Sequence, residues 1–478
     1  MSRALSSRIV RPLALTVLAA AVVGSLAVPG TARASAFQLH EDSVQAMGRA
    51  YAGMLTAGGD CSVVANSPAS MSLLTGGCFQ ADVTGINFSA KFTGQAHDAL
   101  GRPISGGNGG DAGTTIPVPA LYWATKMGDK WHLGVGFTVP FGFQTKYDRD
   151  WMGRYNAVKS KFQSLDATVS LSYDVTDNFS LGLSAIAQRT SAELTSAINY
   201  NAVGMGLVQK GVAAGLIPAA QAPALLQQFG TVVPPGSDGM ARIKGDDWAY
   251  GWQIGGLWRL TDNDRLAINY RSKIEHTISG TANFTMPANV KALLSTPTVQ
   301  GLLAASGGVP FQHTTGTAGF TTPAVADVSY WHETQNFGIG LELAWTKWDV
   351  FKELRVDYGN PVQPPTVEEF NWRNTWYAAV GGDWYVNDRL TLRAGISVDT
   401  TPTHVSTRDP RVPDSTRKIA AVGVGYQFSD HLRLDASYAH IFVGSAHVSK
   451  ATSSTGDTIS GSYEDYGNLL GVAVQYTY

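Results

Sequence analysis

Beyond Val28 the 478-residue chain has no apolar run approaching the ~18 residues of a membrane helix, so helical spans are excluded from the remainder. Charged residues are scarce, at 15% with a net charge of −2, and that balance suggests no nucleic-acid partner. Cysteine is limited to Cys61 and Cys78, with no Cys or His nearby at ligand spacing, which argues against a metal centre. There is no G-x-S-x-G elbow and no H-E-x-x-H, and the glycine-rich stretch from Gly106 to Gly113 lacks the Lys-Ser or Lys-Thr of a phosphate loop. The ten histidines are scattered. Nucleophilic, metal-assisted and nucleotide-driven catalysis all lack their residues, so neither an enzyme nor a cofactor is expected.

What the chain does have is alternation. Leu470, Val472, Val474, Tyr476 and Tyr478 lie on one face of an extended segment, with Gly471, Ala473, Gln475 and Thr477 on the other. Strands can cross a bilayer only as a closed barrel, where every backbone group is paired and lipid-facing residues alternate with lumen-facing ones. At the other end, Arg3, Arg8 and Arg11 precede an apolar run from Leu13 to Val28 and then Ala32-Arg33-Ala34. This is the pattern of an export signal cut after Ala34, and the mature chain is expected in a bacterial outer membrane. The oxidising compartment beneath that membrane permits a bridge between Cys61 and Cys78; two buried thiols are the other reading.

Short turns rich in Asp and Asn recur between alternating runs, at Gly128-Asp129, Thr176 to Asn178, Thr261 to Asp264, Glu333 to Gln335, Asn387 to Arg389 and Ser429 to His431. These hairpins, with an opening strand near Cys78 to Phe92 and a closing strand near Gly461 to Tyr478, predict an all-β fold, a 14-stranded antiparallel transmembrane barrel. The connections between hairpins are long and should face outside the cell. Two of them, 203–229 and 290–303, are unusually apolar and carry Leu207, Leu216, Leu293 and Leu302 at helix-like spacing. Such loops suit capture of a hydrophobic molecule, or pack on one another for rigidity.

Ahead of the first strand, residues 35–76 are too long for a tail and too irregular for a wall strand, and are read as a plug in the lumen, with a periplasmic tail as the alternative. The expected organisation is therefore a signal peptide at 1–34, a hatch at 35–76 and a barrel at 77–478. In the third strand Pro140 follows an alternating run and is itself followed by Phe141 and Gly142. Proline removes a ladder donor, so it either kinks this strand or ends it.

Ala36-Phe37-Gln38-Leu39, Gly48-Arg49-Ala50-Tyr51, Asn66-Ser67-Pro68-Ala69, Pro140-Phe141-Gly142, Trp151-x-Gly153-Arg154, Tyr270-Arg271-Ser272, Trp345-Thr346-Lys347-Trp348 and Leu392-Arg393-Ala394-Gly395 occur in that order along the chain. Together they resemble the FadL-type long-chain fatty acid transporters of the Gram-negative outer membrane. The resemblance implies a mobile hatch carrying Asn66 and Pro68, apolar capture at the third and fourth outer loops, a bound ligand beside Phe37, and sideways exit at a kink around Pro140, Phe141 and Gly142. Its partners would be a long-chain fatty acid or another hydrophobic small molecule, with outer-membrane lipid and lipopolysaccharide around a monomer. A carboxylate cargo needs a cation along an apolar path. Arg373 matches by position a basic residue that holds the head group in the family, with Arg154 and Arg393 behind it. Leu194 falls where the family can have a second basic residue. Relatives that pass uncharged aromatic hydrocarbons need no such cation, and this cargo remains the alternative.

Overall fold

The computed structural model describes residues 36–99, 101–305, 307–452 and 456–478. The expected signal peptide lies outside the described residues, as does the side chain of Leu302. The wall has fourteen antiparallel strands: β1 (Cys78–His97), β2 (Thr115–Met127), β3 (Trp131–Thr138, resuming as Gly142–Lys146), β4 (Lys159–Thr176), β5 (Phe179–Asn199), β6 (Asp238–Arg259) and β7 (Asp264–Arg271, resuming as Ile274–Thr285). They continue as β8 (Thr314–Thr322 and Val325–Glu333), β9 (Phe337–Thr346), β10 (Thr375–Tyr385), β11 (Leu390–Asp399), β12 (Arg417–Gln427), β13 (Leu432–Val443 and Ala446–Ala451) and β14 (Thr458–Thr477). Each pairs with its neighbours in sequence, and β1 closes on β14 from Cys78↔Thr477 to His97↔Thr458. All six expected turns join neighbouring strands at one end of the barrel.

The alternation of each strand separates lipid from lumen. Leu470, Val472, Val474 and Tyr476 are exposed on the outside while Ala473 and Gln475 between them are buried, and Leu181 and Leu183 repeat the pattern in β5. An aqueous lumen would leave the inner residues wet. They are buried because the segment from Ala36 to Gly77 fills the barrel.

That segment is short helix and turn: α1 (Val44–Met47), α2 (Val63–Asn66) and a 3₁₀ stretch of two turns, Pro68–Leu73. Its backbone groups are paired largely within the segment and in part with wall side chains, as burial demands. Ser437 Oγ donates to the Val44 carbonyl at 2.7 Å, Ser170 Oγ to the Val64 carbonyl at 2.6 Å, and the Met54 N–H donates to Glu342 at 3.0 Å. Arg49, 2% exposed, pairs with Asp383 of β10 at 3.1 Å. A disulfide between Cys61 and Cys78 ties the plug to the start of β1. Glycines on the wall let the two backbones touch: a Cβ at Gly182 would lie 2.1 Å from the Ala69 nitrogen.

The long connections face the other end. The two apolar loops read as helix-like hold four helices, α3 (Tyr200–Ala213), α4 (Ala222–Val232), α5 (Ala288–Leu294) and α6 (Pro297–Ala305). A short hairpin, Glu353–Tyr358 with Thr366–Glu369, extends β8 through Gly316 to Ala318 and was not anticipated from the sequence.

Candidate ligand site at a break in the wall

The third strand does kink. β2 pairs with β3 from Leu121↔Phe137 to Met127↔Trp131 and no further. After Pro140 the strand resumes as Gly142–Lys146, paired with β4 alone. Residues 115–120 of β2 have β1 on one side and no ladder partner on the other. Pro117 and Pro119 fall in this unpartnered stretch, where a missing donor costs nothing. Above the opening the Lys146 N–H donates to the Ala112 carbonyl at 2.9 Å, which bounds it on the loop side.

On the lumen side the start of the plug runs along the kink. The Leu39 N–H donates to the Pro140 carbonyl and the Gly142 N–H to the Phe37 carbonyl, both at 2.9 Å. The kinked strand thus finds in the plug the partner it has lost in the wall. Phe37 is 4% exposed. Its ring lies 5.0 Å from Phe162 and from Trp348, 5.3 Å from Phe143, 5.4 Å from Trp372, 6.0 Å from Phe320 and 6.4 Å from Phe141, so it occupies an aromatic cage. The indole N–H groups of Trp348 and Trp372 are buried without a hydrogen-bond partner in that cage.

Beside Phe37 a cavity of ≈ 90 Å³ lies between the plug, the kinked strand and the loop before β12; Leu39, Ile86, Phe88, Ile116, Phe143 and Val412 give it apolar walls. Arg411, Asp414 and Arg417 give it a polar end. Arg411 is 6% exposed; its Nη1 donates to Asp409 at 3.2 Å while its Nε is buried with no partner. Arg417 pairs with Asp414 at 3.1 Å and donates to the Ala36 carbonyl, and Asp414 accepts the Ala36 N–H at 3.1 Å. Burial pushes the Asp414 carboxyl up to about 6 although Arg417 pulls it down. The site combines an apolar wall, a guanidinium with a spare donor, and an opening toward lipid.

The other expected residues are elsewhere. Arg373 follows Trp372 of the cage and gives its guanidinium to the carbonyls of Thr401, at 3.4 Å, and Thr403, at 3.3 Å. Arg154 pairs with Asp238 at 2.6 Å at the base of the outer loops, and Arg393 is buried between Asp383 and Asp435 under the plug. Asn66 ends α2 and Pro68 starts the turn that abuts β5. In the loops Leu293 packs in an apolar cluster with Tyr200, Phe229, Val290 and Phe311, whereas Leu207 is half-buried and Leu216 is 49% exposed. Arg411, Arg417 and the cage partners from β4, β8 and the outer loops were missed. Pro117 and Pro119 were a readable signal for the second lip of the opening.

A closed membrane barrel whose lumen is filled and whose wall is broken beside a cavity is the architecture of an outer-membrane transport protein, distinct from an open porin. The chain belongs to the outer membrane protein transport protein family (OMPP1/FadL/TodX), whose model matches residues 25–478. It is thus an outer-membrane transporter of hydrophobic compounds. Among its relatives are outer membrane protein P1 of Haemophilus influenzae, 26% identical with 95% of this chain and 97% of that protein covered, and the long-chain fatty acid transport protein of Escherichia coli K12, 25% identical with 84% and 87% covered. The crystal structure of a Pseudomonas aeruginosa FadL homologue superposes with a TM-score of 0.82 at 28% identity, covering 93% of this chain and 100% of that one. The Pseudomonas putida toluene transporter TodX shares the fold, with a TM-score of 0.64 at 16% identity over 93% and 100% of the two chains.

Proposed function

We propose that the protein takes up long-chain fatty acids passively. Substrate gathers on the apolar outer loops, moves to the cavity beside Phe37, and leaves sideways between β2 and the kink at Pro140 to Gly142 once the start of the hatch has moved. The observation that carries this reading is the cavity itself, which joins apolar walls to a polar lining of Glu41, Gln144, Thr145, Asp414, Arg417 and Arg411, the last with a buried Nε that has no partner. A buried carboxylate needs such a donor, and a charge-assisted pair is roughly twice as strong as a neutral hydrogen bond. Arg411 therefore replaces Arg373 as the first choice for the head group. The sideways route keeps the alkyl chain out of water, each buried CH₂ being worth about 0.8 kcal/mol.

A second cargo has its own observation. The ring cage around Phe37 suits an uncharged aromatic hydrocarbon, which needs apolar edges and no cation. Uptake of labelled fatty acid and of toluene by transporter-deficient cells separates the two. For the fatty acid reading, Arg411→Ala abolishes fatty acid uptake and spares toluene, while Gly142→Arg, whose new side chain enters the opening, abolishes both. Fatty acid uptake untouched by Arg411→Ala overturns the head-group assignment; uptake untouched by Gly142→Arg overturns the lateral route.

A further inference from the structure

The net charge of −2 conceals a basic patch on the outer face of the wall. Lys146 of β3 stands opposite Lys159 of β4, Lys159 opposite Thr195 of β5, and Thr195 opposite Arg242 of β6. In the next row Lys161 stands opposite Glu193, and Glu193 opposite Lys244. Directly paired residues share a face, and the same face of β6 goes on to Trp248, Tyr250 and Trp252, which are 52%, 77% and 48% exposed. Those rings mark the membrane interface. The cations lie beyond them toward the long loops, at the level of the outer-leaflet head groups.

The patch is short of counter-charge. Glu193 is shared by Lys159, at 3.2 Å, and Arg242, at 3.1 Å. Lys146, Arg149, Lys161 and Lys244 are exposed and, among the described residues, form no ion pair. Like charges placed directly across a ladder, as in Lys146 and Lys159, are destabilising unless an anion lies between them. The space for one exists: a cleft of ≈ 510 Å³ is lined by Lys146, Asp148, Arg149, Lys159, Thr195 and Met240. We propose that this cleft and the cations around it bind a phosphate of the phosphorylated glycolipid that forms the outer leaflet, fixing the barrel's depth on the side where its wall is open. Lys and Arg at a membrane surface attract anionic head groups with an energy that corresponds to roughly fivefold in affinity per residue. The inference rests on the outer-membrane placement and not on the identity of the cargo.

The test uses the full mature barrel in detergent, with bisphosphorylated and enzymatically dephosphorylated lipid A as probes and native mass spectrometry to count bound lipid. Wild type should prefer the bisphosphorylated form. K146Q/K161Q/K244Q should bind it about a hundredfold more weakly at low salt, while K126Q/K130Q, at the short-turn end, should bind as wild type does. Folding is checked by the heat-dependent gel mobility of a closed barrel. If the triple variant does not fold, K161Q/K244Q takes its place with a smaller expected loss. Equal binding of both lipids by wild type, or wild-type affinity in a folded variant, overturns the proposal.

Discussion

Phe37→Ala should release the start of the hatch without unfolding the barrel. The ring is the centre of a cage of six aromatic neighbours within 6.4 Å and is nearly fully buried. Removing a buried Phe typically costs about 3–5 kcal/mol. Here that loss falls on the local equilibrium between docked and undocked segment, because the fourteen-strand ladder does not depend on it. The backbone bonds of Leu39 and Gly142 and the pairing of Ala36 with Asp414 and Arg417 remain. At about 1.4 kcal/mol per factor of ten, the lower figure raises the undocked population roughly a hundredfold. Both native cysteines are in the disulfide, so a thiol introduced as Gln38→Cys is the one free thiol among the described residues. Its maleimide labelling rate, with opening fast relative to labelling, reports the undocked fraction. A rise of about a hundredfold on adding Phe37→Ala is expected, with unchanged heat-dependent gel mobility. A rise of less than about tenfold would refute the view that the cage is what holds the segment.

Two further outcomes follow from the same contacts. Cys61→Ser with Cys78→Ser opens a bridge spanning 17 residues and should lower stability by about 3 kcal/mol on a chain-entropy reckoning, read as a shift in the urea midpoint that reducing agent reproduces in wild type; coincident midpoints would count against it. The folded-state pKa of Asp414 is raised, so between about pH 4 and about pH 6 the folded protein keeps a proton that the unfolded chain has lost. Stability should therefore fall as pH rises through that window, with Asp414 contributing up to about 3 kcal/mol for a two-unit shift, and Asp414→Asn should make the fall shallower by that share. A profile that keeps its slope in the variant would assign it to another group.

The fold was legible because a barrel writes itself locally. Alternation with period two and an Asp or Asn turn every second strand were enough to place six hairpins and the closing strand, and the plug followed from a stretch that fits neither pattern. Breaks inside strands were legible only where proline marked them, as at Pro140. The break after Arg271 in β7 and that after Val443 in β13 carry no comparable signal. The site was less legible because it is assembled across the sequence. Phe37 meets Phe162, Phe320, Trp348 and Trp372 only once the barrel has closed, and each of those positions alone looks like an ordinary wall or loop aromatic. Arg411 was overlooked for a related reason. A basic residue among Asp409, Asp414 and Arg417 reads as a solvated loop, and only burial reveals a donor left over.

The prolines on both lips of the opening also bear on how such a barrel survives its own assembly. An unpartnered strand edge in a membrane protein is adhesive: it can capture the edge of another chain, or zip shut on its neighbour once the plug is out of the way. Pro117 and Pro119 on one side and Pro140 on the other deny both events the donors they require. The slit is thus written into the covalent chain as a proline-marked break, protected from mispairing while the protein inserts.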